Sequence, residues 1–127
     1  MATGFPAATG DVLSAAMFNG LVTFTLNDQT GTTYVPVLTD SYQVLVTRSN
    51  AAASTMILPL NATTAFPIGS CITVLNKGAG LVSISGIAGV TVLSAGAVAA
   101  IPTLAQYKSA AIIKVATDTW YVVGAIG

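Results

Sequence analysis

The sequence predicts an all-β chain: an antiparallel β-sandwich or barrel-like domain of about ten short strands. Three observations carry this. Apolar residues recur with period two along most of the chain, as in LVTFTL (21–26), YQVLVTR (42–48) and LVSISG (81–86), the periodicity of a strand with two faces. Clusters of Gly, Asn, Asp, Ser and Thr break these runs at short intervals, the spacing of strand-rich domains. Beyond residue 20, no stretch repeats apolar residues at helical spacing.

The elements follow in chain order. MATGFPAATG (1–10) is small and proline-broken and reads as an extended arm. In DVLSAAMFNG (11–20), Ser14 is placed to cap one helical turn through Ala15 to Phe18, and Gly20 to stop it. Residues 1–20 are therefore expected to form an N-terminal arm, and 21–127 the β-domain. The apolar residues of the arm cannot make a core in so short a segment, so they must pack on the β-domain or on a partner. LVTFTL (21–26) begins the strands, and NDQTGTT (27–33) reads as a polar turn. TYVPVL (33–38) is expected at a sheet edge, because Pro36 lacks the N–H that an inner strand donates. YQVLVTR (42–48), TMILPL (55–60), SCITVLN (70–76), LVSISG (81–86), GVTVLS (89–94), a weak AVAAI (97–101), YKSAAIIKVAT (107–117) and TWYVVGAI (119–126) complete the set.

Lys77-Gly78-Ala79-Gly80 separates two of these strands and is expected to be a hairpin turn, with Gly78 and Gly80 supplying positive φ. A phosphate loop would lead into a helix, whose N-terminus holds the anion; here a strand follows. KVATDTWYVVG is expected to turn at Thr117-Asp118. Trp120 is the expected core anchor, with Tyr121 on the opposite face of its strand. Cys71 is the single cysteine and is expected to pack as a small core residue.

Composition bounds the function. The 127 residues suffice for one core, and charged residues are only 6%, against about 25% in ordinary soluble domains. Mean hydropathy is +0.80. Such a chain belongs in a membrane or has a surface largely covered by neighbours. The uncharged run from Gly78 to Tyr107 exceeds the ~20 residues of a spanning helix, but its glycines, hydroxyl residues and period-two pattern are those of strands. No membrane span is expected, and the N-terminus has no signal-peptide pattern.

Histidine and glutamate are absent, which removes histidine-based nucleophilic catalysis and histidine metal sites. Asp11, Asp28, Asp40 and Asp118 show no paired spacing. Asn27, Asp28 and Thr30 lack the ligand ladder of a calcium loop. Asn61-Ala62-Thr63 fits a glycosylation sequon and reads as a loop turn. Arg48, Lys77, Lys108 and Lys114 are too scattered for a nucleic-acid surface. No enzyme activity, cofactor or metal is expected.

FPIGSCITVLNKGAGLVSISG (66–86), GVTVLS (89–94) and QYKSAAIIKVATDTWYVVG (106–124) together resemble a β-rich module of tailed-bacteriophage virion proteins. The matching positions are Phe66, Pro67, Gly69 and Ile72; Gly78, Ala79 and Gly80; Gly89, Val90 and Thr91; Gln106 and Tyr107; and Ile113, Lys114, Val115, Asp118, Trp120 and Gly124. TGDVLSAAMFNGL (9–21) is similar to the opening of several small phage structural proteins. The resemblance implies a structural role in the virion and no catalysis. With so short a segment ahead of the β-domain, the expectation is a capsid decoration (cement or head-fibre) protein. It would be assembled in the host cytoplasm and placed on the outer capsid surface as a homotrimer bound to the major capsid protein. Phe5, Pro6, Val12, Leu13 and Phe18 of the arm are the expected capsid contacts. The alternative is a tail-fibre, spike or receptor-binding subunit, with a host-surface glycan as a further partner.

Overall fold

A computed structural model describes Ala15 and residues 23–94 and 101–126. Its strands are β1 (Thr25–Gln29), β2 (Thr33–Tyr34), β3 (Val44–Arg48), β4 (Ser54–Leu58), β5 (Cys71–Asn76), β6 (Val82–Gly86), β7 (Thr91–Ser94), β8 (Thr103–Leu104), β9 (Ser109–Ala116) and β10 (Thr119–Gly124). A 3-10 turn at Leu38–Ser41 is the one helical element in the span from residue 23 onward that is described. The strands form a six-stranded sheet, ordered β1-β3-β5-β9-β10-β7, and a four-stranded sheet, ordered β2-β4-β6-β8.

The all-β expectation holds; the strand direction does not. β1, β3 and β5 pair in parallel, as do β2, β4 and β6, and β7 with β10. Antiparallel pairing is confined to β5–β9, β9–β10 and β6–β8. The chain therefore winds between the sheets: β1 crosses to β2, β3 to β4, β5 to β6, and each circuit lies on the one before. β8 then returns antiparallel along β6, and the β9–β10 hairpin closes the large sheet between β5 and β7. Period two is the same for either direction, so alternation alone could not distinguish them.

One core lies between the sheets. Val44, Val46, Ile72, Val74, Ile112, Trp120 and Val122 enter it from the large sheet, and Met56, Leu58, Val82, Ile84 and Leu104 from the small one. Trp120 is 1% exposed, while Tyr121 faces outward. Pro36 follows β2, which lies at a sheet edge.

Gly78 and Gly80 do not form a hairpin turn, because β5 and β6 lie in different sheets. Nor does either adopt positive φ; Gly69, Gly89 and Gly124 do. Residues 77–81 instead turn a corner between sheets, seated on the corner of the previous circuit. Gly80 N donates to Asn50 O at 2.9 Å, and Lys77 N to Arg48 O at 2.8 Å. A Cβ on Gly80 would overlap the Ala52 carbonyl, and one on Gly78 the Asn50 backbone. These glycines serve close backbone approach rather than unusual dihedrals.

Other expectations are also revised. Cys71 is exposed, because it opens β5 on the outward parity. Asn27–Gln29 belong to β1 rather than to a turn, and β8 was not anticipated. Phe5, Pro6, Val12, Leu13 and Phe18 lie outside the described residues, as does the helical turn apart from Ala15 and most of AVAAI.

Gly80→Ala should destabilise the domain by about 1–3 kcal/mol, the range for overpacking, since even a methyl group meets backbone there. Urea unfolding measures it; unchanged stability would show that the corners do not stack this closely.

Candidate functional site

Three long polar side chains are buried, and each sits at the inner end of an inward row of a strand. β3 points Val44, Val46 and Arg48 inward; β5 points Ile72, Val74 and Asn76; β9 points Ala110, Ile112 and Lys114. Arg48, Asn76 and Lys114 are 1%, 1% and 2% exposed. Burying such groups is costly unless they are hydrogen-bonded.

Lys114 holds the loop that joins β4 to β5. Its Nζ donates to Phe66 O and to Asn61 Oδ1, both at 2.7 Å. It also lies 5.9 Å from the Trp120 ring centroid. Phe66 meets Trp120 edge to face, with centroids 5.3 Å apart. Asn61 N donates to Asp118 Oδ1 at 2.6 Å, Lys114 N to Ser70 O at 2.9 Å and Gly69 N to Lys114 O at 2.7 Å. Asp118 reaches the loop from the β9–β10 turn, where its φ is +57°, a region that Asp tolerates. The two sequence stretches Phe66–Gly69 and Lys114–Trp120 are thus one clamp. The Asn61 side chain of the sequon is engaged in it.

Asn76 ties the corner to β8. Its Nδ2 donates to Gly80 O and Leu104 O, each at 2.9 Å, and its Oδ1 accepts from Gly78 N at 3.0 Å. Arg48, its register partner on β3, donates through Nη2 to Gly31 O at 2.7 Å and lies 5.8 Å from the Tyr34 ring centroid. Its Nε and Nη1 are buried with no hydrogen-bond partner among the described residues.

The third cluster surrounds Asp40, which is 2% exposed. Tyr34 OH donates to Asp40 Oδ2, which also accepts from Val37 N at 3.0 Å. Asn27 Nδ2 donates to Asp40 Oδ1 and to the Tyr34 hydroxyl, each at 2.9 Å. Burial, reinforced by the Asp40 hydrogen bond, pushes the Tyr34 phenol up to about 12. Asp28, the next residue of β1, faces the other side. It accepts from Thr47 Oγ1 at 2.6 Å and Ser49 Oγ at 2.7 Å and pairs with Lys77 at 3.6 Å. The Thr47 hydrogen bond is the chief cause of its lowered pKa.

These arrangements position backbone rather than present reactive groups. Asp40 and Asp118 both have carboxylate oxygens engaged by neighbours, and Asn27 and Asp28 face opposite sides of β1. Among the described residues no three His, Cys, Asp or Glu side chains gather to hold a metal. No helix there is long and apolar enough to cross a membrane. In the sequence Lys114 and Arg48 figured only among basic residues too scattered for a nucleic-acid surface, and their burial was not expected. Strand parity was the overlooked signal, since Lys114 shares the parity of Ile112, and Arg48 that of Val46.

Lys114→Met keeps the stem but leaves Phe66 O without its donor. Denaturant unfolding should show a loss of about 2–3 kcal/mol, as for a buried hydrogen bond to a charged group. An alkaline titration followed by phenolate absorbance should show one of the four tyrosines ionising near 12. The folded value lies above the ordinary 10.0, so the stability from Tyr34 is complete below about pH 10 and is lost as pH rises toward 12. Tyr34→Phe should remove that slope. No family model matches the chain, and neither does any curated protein or solved structure.

Proposed function

We propose that this chain is a non-catalytic structural protein of a tailed-phage virion: a capsid decoration protein that binds and stabilises the outer shell as a homotrimer. The observation that carries this reading is the inversion of ordinary surface chemistry. Arg48, Lys114 and Asp40 are buried, where they hold loops and corners, while Leu26, Ile68, Ile101, Tyr107 and Val123 are among many large apolar side chains left exposed. A protein that works by being covered needs such a surface. The clamp adds support, because the stretches that resemble the virion module act together on one loop.

In this reading residues 1–20 grip the major capsid protein through Phe5, Pro6, Val12, Leu13 and Phe18, and trimerisation gives three weak arms a high effective concentration. A tail-fibre or receptor-binding role is the second reading. Tyr107 favours it: this aromatic is 78% exposed, which leaves its ring face open to stack on a sugar.

The test is to mix purified protein with undecorated heads and follow co-sedimentation, with labelled protein located on virions by electron microscopy. Saturable binding to heads is expected, and deletion of residues 2–20 should abolish it without loss of β-structure. Labelling of tail tips alone would overturn the decoration reading in favour of the second.

A further inference from the structure

The two sheets have unlike outer faces. On the small sheet the outward row Thr33–Thr55–Ser83–Thr103 runs across all of its strands in register. Hydroxyl groups of this kind suit contact with water. On the large sheet the corresponding row is Leu26–Leu45–Thr73–Ala111–Val123. A neighbouring row carries Ile113, Tyr121 and Leu93, and the face is bordered by the more polar row Asp28–Thr47–Leu75–Ser109 and by Thr91 beside Thr119.

Charge does not separate the two faces, because β2, β4, β6 and β8 contain no charged residue, but it is sparse on the large sheet too. β3 and β9 carry Arg48 and Lys114, and both point inward. β5, β7 and β10 contain no charged residue, so the outward positions of the five strands from β3 to β7 in sheet order have no charge at all. Asp28, paired with Lys77, stands on the edge strand β1. Strands such as CITVLN, SAAIIKVA and TWYVVG therefore read as nearly continuous apolar runs, the pattern of strands buried on both faces. The core between the sheets accounts for one face only.

The geometry points to the outer face of the six-stranded sheet as the surface on which copies of this chain meet. Its occupant is a second copy for two reasons. The first is size: six strands about 4.8 Å apart and roughly 17 Å long present about 400 Å² in flat projection. That is half of the ~800 Å² per partner of a standard interface before side-chain relief is added. The second is chemistry. Apart from the Asp28–Lys77 pair at its β1 edge, the face has no charge for an oppositely charged partner to read. An apolar face can pack on an apolar part of a second copy without any matching of charge, and contacts repeated between copies close into a symmetric assembly. This deepens the homotrimer reading above and rests on it for the number of copies: three such faces about a threefold axis would each divide between two neighbours.

Cys71 supplies a test in the unaltered protein. It lies on this outer face, in register with Ile113, and is exposed in the single chain. Light scattering across a dilution series should show an oligomer that dissociates, and reaction of Cys71 with a thiol-specific chromogenic disulfide should accelerate at least tenfold over the same range. Tyr121→Lys should yield a monomer that keeps its β-sheet circular dichroism, whereas Thr55→Lys on the hydroxyl-lined face should leave the oligomer intact. An oligomer in which Cys71 reacts at the same rate at every concentration, or one that persists unchanged in Tyr121→Lys, overturns the inference. So does a monomer with a protected Cys71, which would show that another segment of the same chain covers the face. Head binding separates the two readings. An oligomer built on this face that ignores heads removes the decoration role alone, and a monomer that binds heads removes this interface and the trimer but leaves the decoration role.

Discussion

Close stacking of successive corners is the constraint on which the rest of the structure depends. Residues 77–81 rest on residues 50–53, and Asn50 reaches Thr30 O of the circuit below at 2.8 Å. Backbone lies on backbone at a separation that admits no side chain at Gly80. Where the corners meet this closely, β1, β3 and β5 are brought into parallel register, as are β2, β4 and β6. Parallel strands cannot be joined by a two-residue turn and need a crossover. Here the crossover is the opposite sheet.

Parallel stacking also dictates where the polar residues go. Register aligns Gln29 with Arg48 and Arg48 with Asn76, so the corner end of the core is a polar row beneath turning backbone. Corners carry carbonyl and amide groups that no ladder satisfies, and buried backbone groups need partners. Asn76 and Arg48 provide them from inside. At the opposite end of the fold, Lys114 and Asp118 do the same for the loop between β4 and β5. Buried charge in this protein is bound up with irregular backbone, and the regular strands are left to apolar contacts.

Much of the fold was legible in the alternation of YQVLVTR, SCITVLN, LVSISG and TWYVVG, all of which contain strands near the expected positions. Trp120 and Tyr121 took opposite faces for the same local reason, and Thr117-Asp118 turned where a short polar turn separates two strands. Strand direction was not legible, because it depends on whether a glycine-bearing link folds back within a sheet or crosses to another. Gly78-Ala79-Gly80 is compatible with either, and only its fit against Asn50–Ala53 decides. The clamp was partly legible: Lys114 and Trp120 could be assigned inward by counting in twos, but their target, Phe66 and its carbonyl, lies across a loop whose path no periodicity describes.

The position of the β9–β10 hairpin has a consequence for the order in which the chain can become folded. The circuits from β1 to β6 can each be laid down as they are synthesised, every strand finding its neighbour already in place. β7 cannot, because its sheet partner is β10, and β5 keeps a free edge until β9 arrives. The large sheet is thus completed from its middle by the latest strands to emerge, across contacts of long sequence separation, which slow folding. Until then an apolar chain carries an unpaired inner edge, the kind of template that captures other nascent chains. The nascent protein is most exposed to misassembly in the interval between the emergence of β5 and that of β10.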